Sequence, residues 1–305
     1  MIDYLAFTLI LDDVALPDGT VQSSVLGGGG PQTAFGMSLF SQYVGIVSGV
    51  GRDLPSEISA WFAAHQIDTR GLTASDCPTL RALQVMGRDG NRQQVWRSAG
   101  EVIARQLGWR LEDLPEAYRR AHGWHMGIHP DQFDLEKLKA IKAASGRVLS
   151  VEAFRPAGRP VAAAELQGLL DCVDIFSVNL QEAYSLVGEA EPEQICERFM
   201  RLGQALFVLR IGDQGSWAAN PGTGEIIHAP AVKVPVRHEV GAGNAYCGGF
   251  LTGWVEENNL REACARGAVA ASFWIEGGPR WTAAPPRTVL ESRLEELKAR
   301  LIIVR

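Results

Sequence analysis

The sequence predicts a doubly wound α/β fold: a mainly parallel sheet flanked by helices, with a small β-sheet set off as a lid. Three observations predict it. A chain of 305 residues with 46% hydrophobic content can bury one large core. Residues 4–11 form a continuous apolar run, as expected of a strand buried on both faces of a parallel sheet. From residue 123 onward, strand-like and helix-like stretches alternate, and right-handed crossovers assemble such a chain economically. Residues 1–305 therefore read as one domain, with the lid formed by segments at about 13–26 and 79–97.

Composition narrows the partners. A net charge of −6 gives no basic footprint, which argues against nucleic acid. No apolar run approaches the roughly 18 residues of a membrane span. The first residues lack a basic leader and a small-residue cleavage site, so they do not read as a signal peptide. Five scattered cysteines (Cys77, Cys172, Cys196, Cys247, Cys264) form no C-x-x-C pair, as expected of a reduced, cytoplasmic protein. A small-molecule substrate is the remaining expectation.

In chain order, the first strand (4–11) ends in Asp12-Asp13. Ligands of open α/β sheets sit at the carboxyl ends of strands, so Asp12 is a candidate contact. The plain alternative is a solvated pair opening a turn at Pro17-Asp18-Gly19. Gly27 to Gly30 follow a strand-like stretch, 21–26, and precede a helical one, 32–40. Bare glycines there permit close backbone approach to a ligand, although a mobile loop would read the same. Residues 44–51 form the next strand, and a helix follows over about 54–65. Between 79 and 97 the pattern alternates around Arg88-Asp89-Gly90-Asn91, a β-hairpin signal. With 13–26 it would form the lid, whose exposed edges favour a homodimer. Later strands are expected at 123–128, 148–153, 173–178 and 205–211, with helices at about 133–144, 162–170 and 191–202. Three successive helices close the chain at 242–256, 260–275 and 288–301.

Four constellations could carry chemistry. Gly241-Ala242-Gly243-Asn244 opens a small-residue helix, where unpaired amides and the positive end of the dipole favour an anion. Asn179 and Glu182 lie three apart at a strand end and suit a hydrated magnesium ion held through water. The same pair is equally an ordinary capping box. Arg210, Gly212 and Gly215 put a permanent cation and a glycine turn after strand 205–211, as an anion site or a plain hairpin. His122, His125 and His129 suggest a metal, but only His125 and His129 share a strand face, so His129 reads better as a substrate contact or a surface histidine. There is no Walker A sequence, and Tyr246 stands where a dinucleotide fingerprint needs its third glycine.

In this order, the glycine loop, hairpin, N-x-x-E, [KR]-x-G-x-x-G and G-A-G-x-x-x-x-G-G-F resemble the ribokinase-like, PfkB-type carbohydrate and nucleoside kinases over nearly the whole chain. The resemblance implies transfer of the ATP γ-phosphoryl group to an alcohol, with Mg2+. It places Asp12, Gly28, Gly29 and Gln32 near the acceptor, and Asn179 and Glu182 in the magnesium–phosphate network. Arg210, Gly212 and Gly215 would line the nucleotide, and the amides of Ala242, Gly243 and Asn244 the anion hole. Two departures stand out. The family's general-base Asp is Asn244, and the Asp linked to a monovalent cation is His238, which puts that cation in doubt. Four glycines together with G-x-G-N resemble the fungal maintenance-of-killer branch. The implied activity is a slow or specialised kinase that Asn244→Asp would accelerate; the alternative is a pseudokinase that binds nucleotide or metabolite as a sensor.

Overall fold

The computed structural model describes residues 2–87, 92–144 and 147–305. The first half runs β1 (Tyr4–Phe7), β2 (Ile10–Ala15), β3 (Val21–Gly27), α1 (Gly30–Ser38), β4 (Val44–Gly51), α2 (Ser56–Ala64), β5 (Asp68–Ser75), β6 (Arg81–Met86), β7 (Arg92–Trp96), α3 (Gly100–Leu107), α4 (Glu116–Arg119) and β8 (Gly123–Ile128). The second half runs α5 (Leu135–Ala143), β9 (Val148–Ala153), α6 (Ala163–Leu170), β10 (Ile175–Asn179), α7 (Leu180–Val187), α8 (Pro192–Leu202), β11 (Leu206–Arg210), β12 (Ser216–Asn220), β13 (Glu225–Ala229), α9 (Ala242–Glu257), α10 (Leu260–Gly277), α11 (Arg287–Lys298) and β14 (Ile302–Ile303).

The large sheet has the order β14-β13-β12-β11-β10-β9-β8-β1-β4-β5. It is parallel from β5 through β11, and β12, β13 and β14 extend it antiparallel. Strand side chains alternate between faces, and two cores follow from that alternation. Tyr4, Ala6, Ile46 and Val208 meet Phe35, Phe250, Phe273 and Trp274 from α1, α9 and α10. Leu5, Phe7, Leu149 and Val151 meet Leu138, Ile141, Leu166 and Phe199 from α5, α6 and α8. Helix α9 sits close because its glycines permit it: a Cβ on Gly248 would lie 2.1 Å from the Thr33 carbonyl oxygen.

The small sheet has the order β3-β2-β6-β7. Here the structure corrects the sequence reading. The apolar run 4–11 is not one strand. At Thr8 the backbone turns to φ 79°, a costly conformation for a β-branched residue, and the chain leaves the large sheet. Its hydrogen bonds hold that turn: Thr8 N donates to the Val47 carbonyl, and the Thr8 carbonyl accepts from Gly30 N. Ile10 to Ala15 then pair with β3 and β6, so Asp12 lies within the small sheet rather than at the end of β1. The hairpin expected over 79–97 forms as the antiparallel pair β6 and β7, and its turn, 88–91, lies outside the described residues. Strands β5, β13 and β14 and helix α3 had no counterpart in the sequence reading. No helix among the described residues is long and apolar enough to cross a membrane.

Candidate active site at the start of helix α9

The face of the large sheet beneath α9 changes character along its strands. Deeper in, it carries Ile175, Leu206 and Val208. Toward the carboxyl ends the same face carries His125, Ser150, Glu152, Ser177, Asn179 and Arg210. These are neighbours by register: His125 lies opposite Ser150, Ser177 opposite Glu152, and Asn179 opposite Arg210. From above, Asn244 and Cys247 descend from the first turns of α9, three residues apart and so on one face.

Glu152 is the hub. It is buried, and Arg210 Nη1 donates to its Oε2 at 2.7 Å. Asn244 Nδ2 donates to its Oε1, Cys247 Sγ lies 3.7 Å from Oε2, and His125 Nε2 stands 3.4 Å from Oε1. Burial pushes the Glu152 carboxyl up, but the Arg210 charge and His125 outweigh it and hold the group down at about 2. Burial likewise opposes the His125 imidazolium, yet Cys247 and Glu152 push it up to about 9. His125 Nδ1 is fixed by Ser150 Oγ at 2.8 Å, whereas its Nε2 is buried with no hydrogen-bond partner. Among the described residues, His125, Glu152 and Cys247 are the one trio with metal-compatible spacing. The Arg210 guanidinium already supplies the positive charge beside that carboxylate, which opposes a divalent ion there.

The motif residues fall into two groups. Asn179 and Glu182 form a reciprocal capping box at the start of α7: Asn179 Oδ1 accepts from Glu182 N at 2.9 Å, and Glu182 Oε2 accepts from Asn179 N at 2.7 Å. Glu182 Oε1 also accepts from Asn179 Nδ2, and Arg210 Nη2 lies 3.6 Å from Glu182 Oε2. One guanidinium thus links the N-x-x-E pair to Glu152. Gly241 caps α9 at φ 93°, and a Cβ there would meet the Gln32 side chain at 2.4 Å. Gln32 Nε2 donates to the Leu26 carbonyl, so Gln32 tethers the end of β3 beside the α9 loop. Of the three expected anion-hole amides, Ala242 N donates to the Glu239 carbonyl. Those of Gly243 and Asn244 make no hydrogen bond among the described residues.

The glycine loop reaches the same point. Gly28 and Gly29 have φ 87° and 81°, and a Cβ on Gly29 would lie 2.7 Å from Asn244 Nδ2 and 3.7 Å from Glu152 Oε1. The bare backbone at Gly29 therefore leaves a space facing both side chains. Other candidates stand apart. Asp12 is buried in β2, where it accepts from Gln84 Nε2 at 2.9 Å and lies against Gly27. Gly212 and Gly215 form the turn between β11 and β12. The three histidines do not converge: His122 is exposed beside Asp3, and His129 faces Arg155. His238 packs on Trp274, its Nε2 is buried without a partner, and burial and then Arg280 push its pKa down. It lines a cavity of about 280 Å³ with Leu26, Trp61, Arg237 and Arg280.

Sequence reasoning missed Glu152, Ser150 and Cys247 and assigned His125 no role here. A signal was available. A carboxylate inside Val148-Leu149-Ser150-Val151-Glu152-Ala153, otherwise a buried strand, demands a partner.

Comparison with known proteins identifies the family and the fold. Residues 1–278 match the pfkB family carbohydrate kinase description. The cytidine kinase of Thermococcus kodakarensis is 24% identical over 277 residues, which cover 89% of this chain and 95% of that protein. The fold is that of the Arabidopsis thaliana ribokinase complexed with ribose and ATP, with a TM-score of 0.73 at 21% identity over 97% of this chain and 99% of that one. It is also that of a putative ribokinase II from E. coli in complex with ATP and Mg2+, with a TM-score of 0.69 at 18% identity over 97% and 100% of the two chains. The chain belongs to the pfkB family of carbohydrate kinases.

Proposed function

We propose that this protein transfers the γ-phosphoryl group of ATP to an alcohol of a sugar-like or nucleoside-like molecule. The observation that carries the reading is the meeting of the glycine loop and the α9 amides at one point, beside Asn244. The amides of Gly243 and Asn244, at the positive end of a 16-residue helix, suit the charge that moves in phosphoryl transfer. Gly212 and Gly215 follow Arg210 on the nucleotide side. Arg210 itself serves by fixing Glu152 and Glu182.

The oxygens of Glu182 are engaged with Asn179 and Arg210, which fits orientation of magnesium-bound water better than direct ligation. When bound, the ion neutralises charge on the transferring phosphates. In place of the cation-linked Asp stands His238, whose charged form burial and Arg280 disfavour, so the carboxylate that would attract a monovalent cation is missing and dependence on that cation is doubtful. Exposed Val21, Val95 and Trp96 on the small sheet support a homodimer through that surface, which sedimentation would test.

The experiment is a panel of acceptors, including ribose and cytidine, scored for ADP and phosphorylated product. Slow product formation is expected. A second reading, a nucleotide-binding pseudokinase, rests on Asn244 and His238 standing at family carboxylate positions. ATP-dependent thermal stabilisation with no product over many equivalents would select it.

A further inference from the structure

We infer that Glu152 is the base of this kinase, a carboxylate supplied from β9 to do the work that Asn244 cannot. The inference deepens the kinase reading and rests on it. Three observations converge. The Glu152 carboxylate contacts the very side chain that stands at the base position, through Asn244 Nδ2 and Oε1. Oε1 accepts from Asn244 with His125 Nε2 beside it at 3.4 Å, and a carboxylate oxygen has room for one further donor. The remaining approach to Oε1 opens toward Gly29, where a side chain would block it and none exists. An acceptor hydroxyl lying against the glycine loop meets the Asn244 side chain and the Glu152 carboxylate together.

The step balances simply. The acceptor oxygen forms its bond to the γ-phosphorus as the bond from that phosphorus to the β,γ-bridging oxygen breaks. ADP leaves with the electron pair, and the hydroxyl proton passes to Glu152 Oε1. The resulting carboxylic acid returns its proton to water once product departs. A strongly acidic carboxyl suffices here, because the hydroxyl sheds its proton late, after its oxygen has begun to bond phosphorus. Arg210 and His125 hold Glu152 ionised and in place between turnovers. Asn244 aligns the hydroxyl.

The test moves the carboxylate. Glu152→Gln keeps the side-chain shape and an acceptor oxygen for Arg210, and should lower kcat at least about 100-fold with little change in KM for ATP. The double variant Glu152→Gln, Asn244→Asp returns a carboxylate to the adjacent side chain and should recover at least about ten-fold of that loss. Ribose and cytidine serve as acceptor probes, with thermal unfolding and ATP binding measured for each variant. A purely structural Glu152 would not be rescued by a carboxylate at 244. Full turnover by Glu152→Gln overturns the base assignment alone, as does a folded, ATP-binding double variant with no recovery. No product from the native chain with any acceptor overturns the kinase reading, and this inference with it.

Discussion

Asn244 and Glu152 hold each other: the amide nitrogen of one donates to Oε1 of the other, across the junction of α9 and β9. This contact changes what the single substitution Asn244→Asp should do. From sequence alone it restores a missing base and raises kcat. Beside Glu152 it instead sets two carboxylates against each other, and such pairs retain a shared proton. The expected result is no gain in kcat and a loss of about 1–3 kcal/mol in stability from the broken buried contact. Steady-state rates and denaturant unfolding of the one variant measure both.

The His125–Glu152 pair predicts an asymmetric pH profile of stability. Folding raises His125 from 6.5 to about 9, so its contribution is complete below pH 6.5 and is lost as pH climbs through 9. Folding lowers Glu152 from 4.5 to about 2, so its contribution is complete above 4.5 and fades as pH falls toward 2. Between 4.5 and 6.5 both act in full. Thermal unfolding should therefore show a decline from pH 7 to 9 that His125→Gln flattens.

Arg210 is the cation that makes this carboxylate tolerable. Removing it as Arg210→Ala strands a buried charge and should cost about 3–5 kcal/mol. Replacing both partners, as Glu152→Leu with Arg210→Met, should cost less than Arg210→Ala, since no Glu152 carboxylate is then stranded and what is lost is the contact of Arg210 to Glu182 and of Glu152 to His125. Urea unfolding of the two variants makes the comparison.

Gly29→Ala probes the open space. The residue sits at φ 81°, and its new methyl would press on Asn244 Nδ2 at 2.7 Å. The backbone penalty is about 1 kcal/mol. The larger effect is on chemistry: kcat/KM for the acceptor should fall at least about ten-fold while KM for ATP holds, because a displaced hydroxyl loses its alignment.

His238 gives the fifth test. With an imidazole and Arg280 in place of a carboxylate, the rate in potassium chloride should match that in choline chloride at equal ionic strength. His238→Asp, which puts a carboxylate at that position, should create a potassium dependence. A native enzyme that stops in choline refutes the reading.

Most of the fold was legible because buried parallel strands announce themselves as apolar runs, and those at 44–51, 123–128 and 205–211 formed close to where they were read. The failure at 4–11 has a specific cause: both halves of the run are buried, one in each sheet, so hydrophobicity is blind to the break at Thr8. Edge strands β5 and β14 were missed because exposure dilutes their pattern, as at Arg70 and Ile302. In the site, residues in contiguous motifs were visible and Glu152 was not. Its partners Arg210, His125 and Asn244 lie 58, 27 and 92 positions away, and only the register of the sheet brings them together.

The break at Thr8 has a mechanical consequence. The small sheet joins the rest of the molecule through residues 8–9, 28–29, 76–80 and 97–99, all of them short connections. Leu11 and Leu26 of that sheet are also packed into the large core, so it is anchored by side chains as well as by chain connections. Two of those connections are stitched together, since the Thr8 carbonyl accepts from Gly30 N at 3.0 Å, and beside that stitch lies Gly29. The place where the small sheet is tied to the rest of the molecule and the space facing Asn244 thus share one corner, so a change in that tie is felt first beside Asn244.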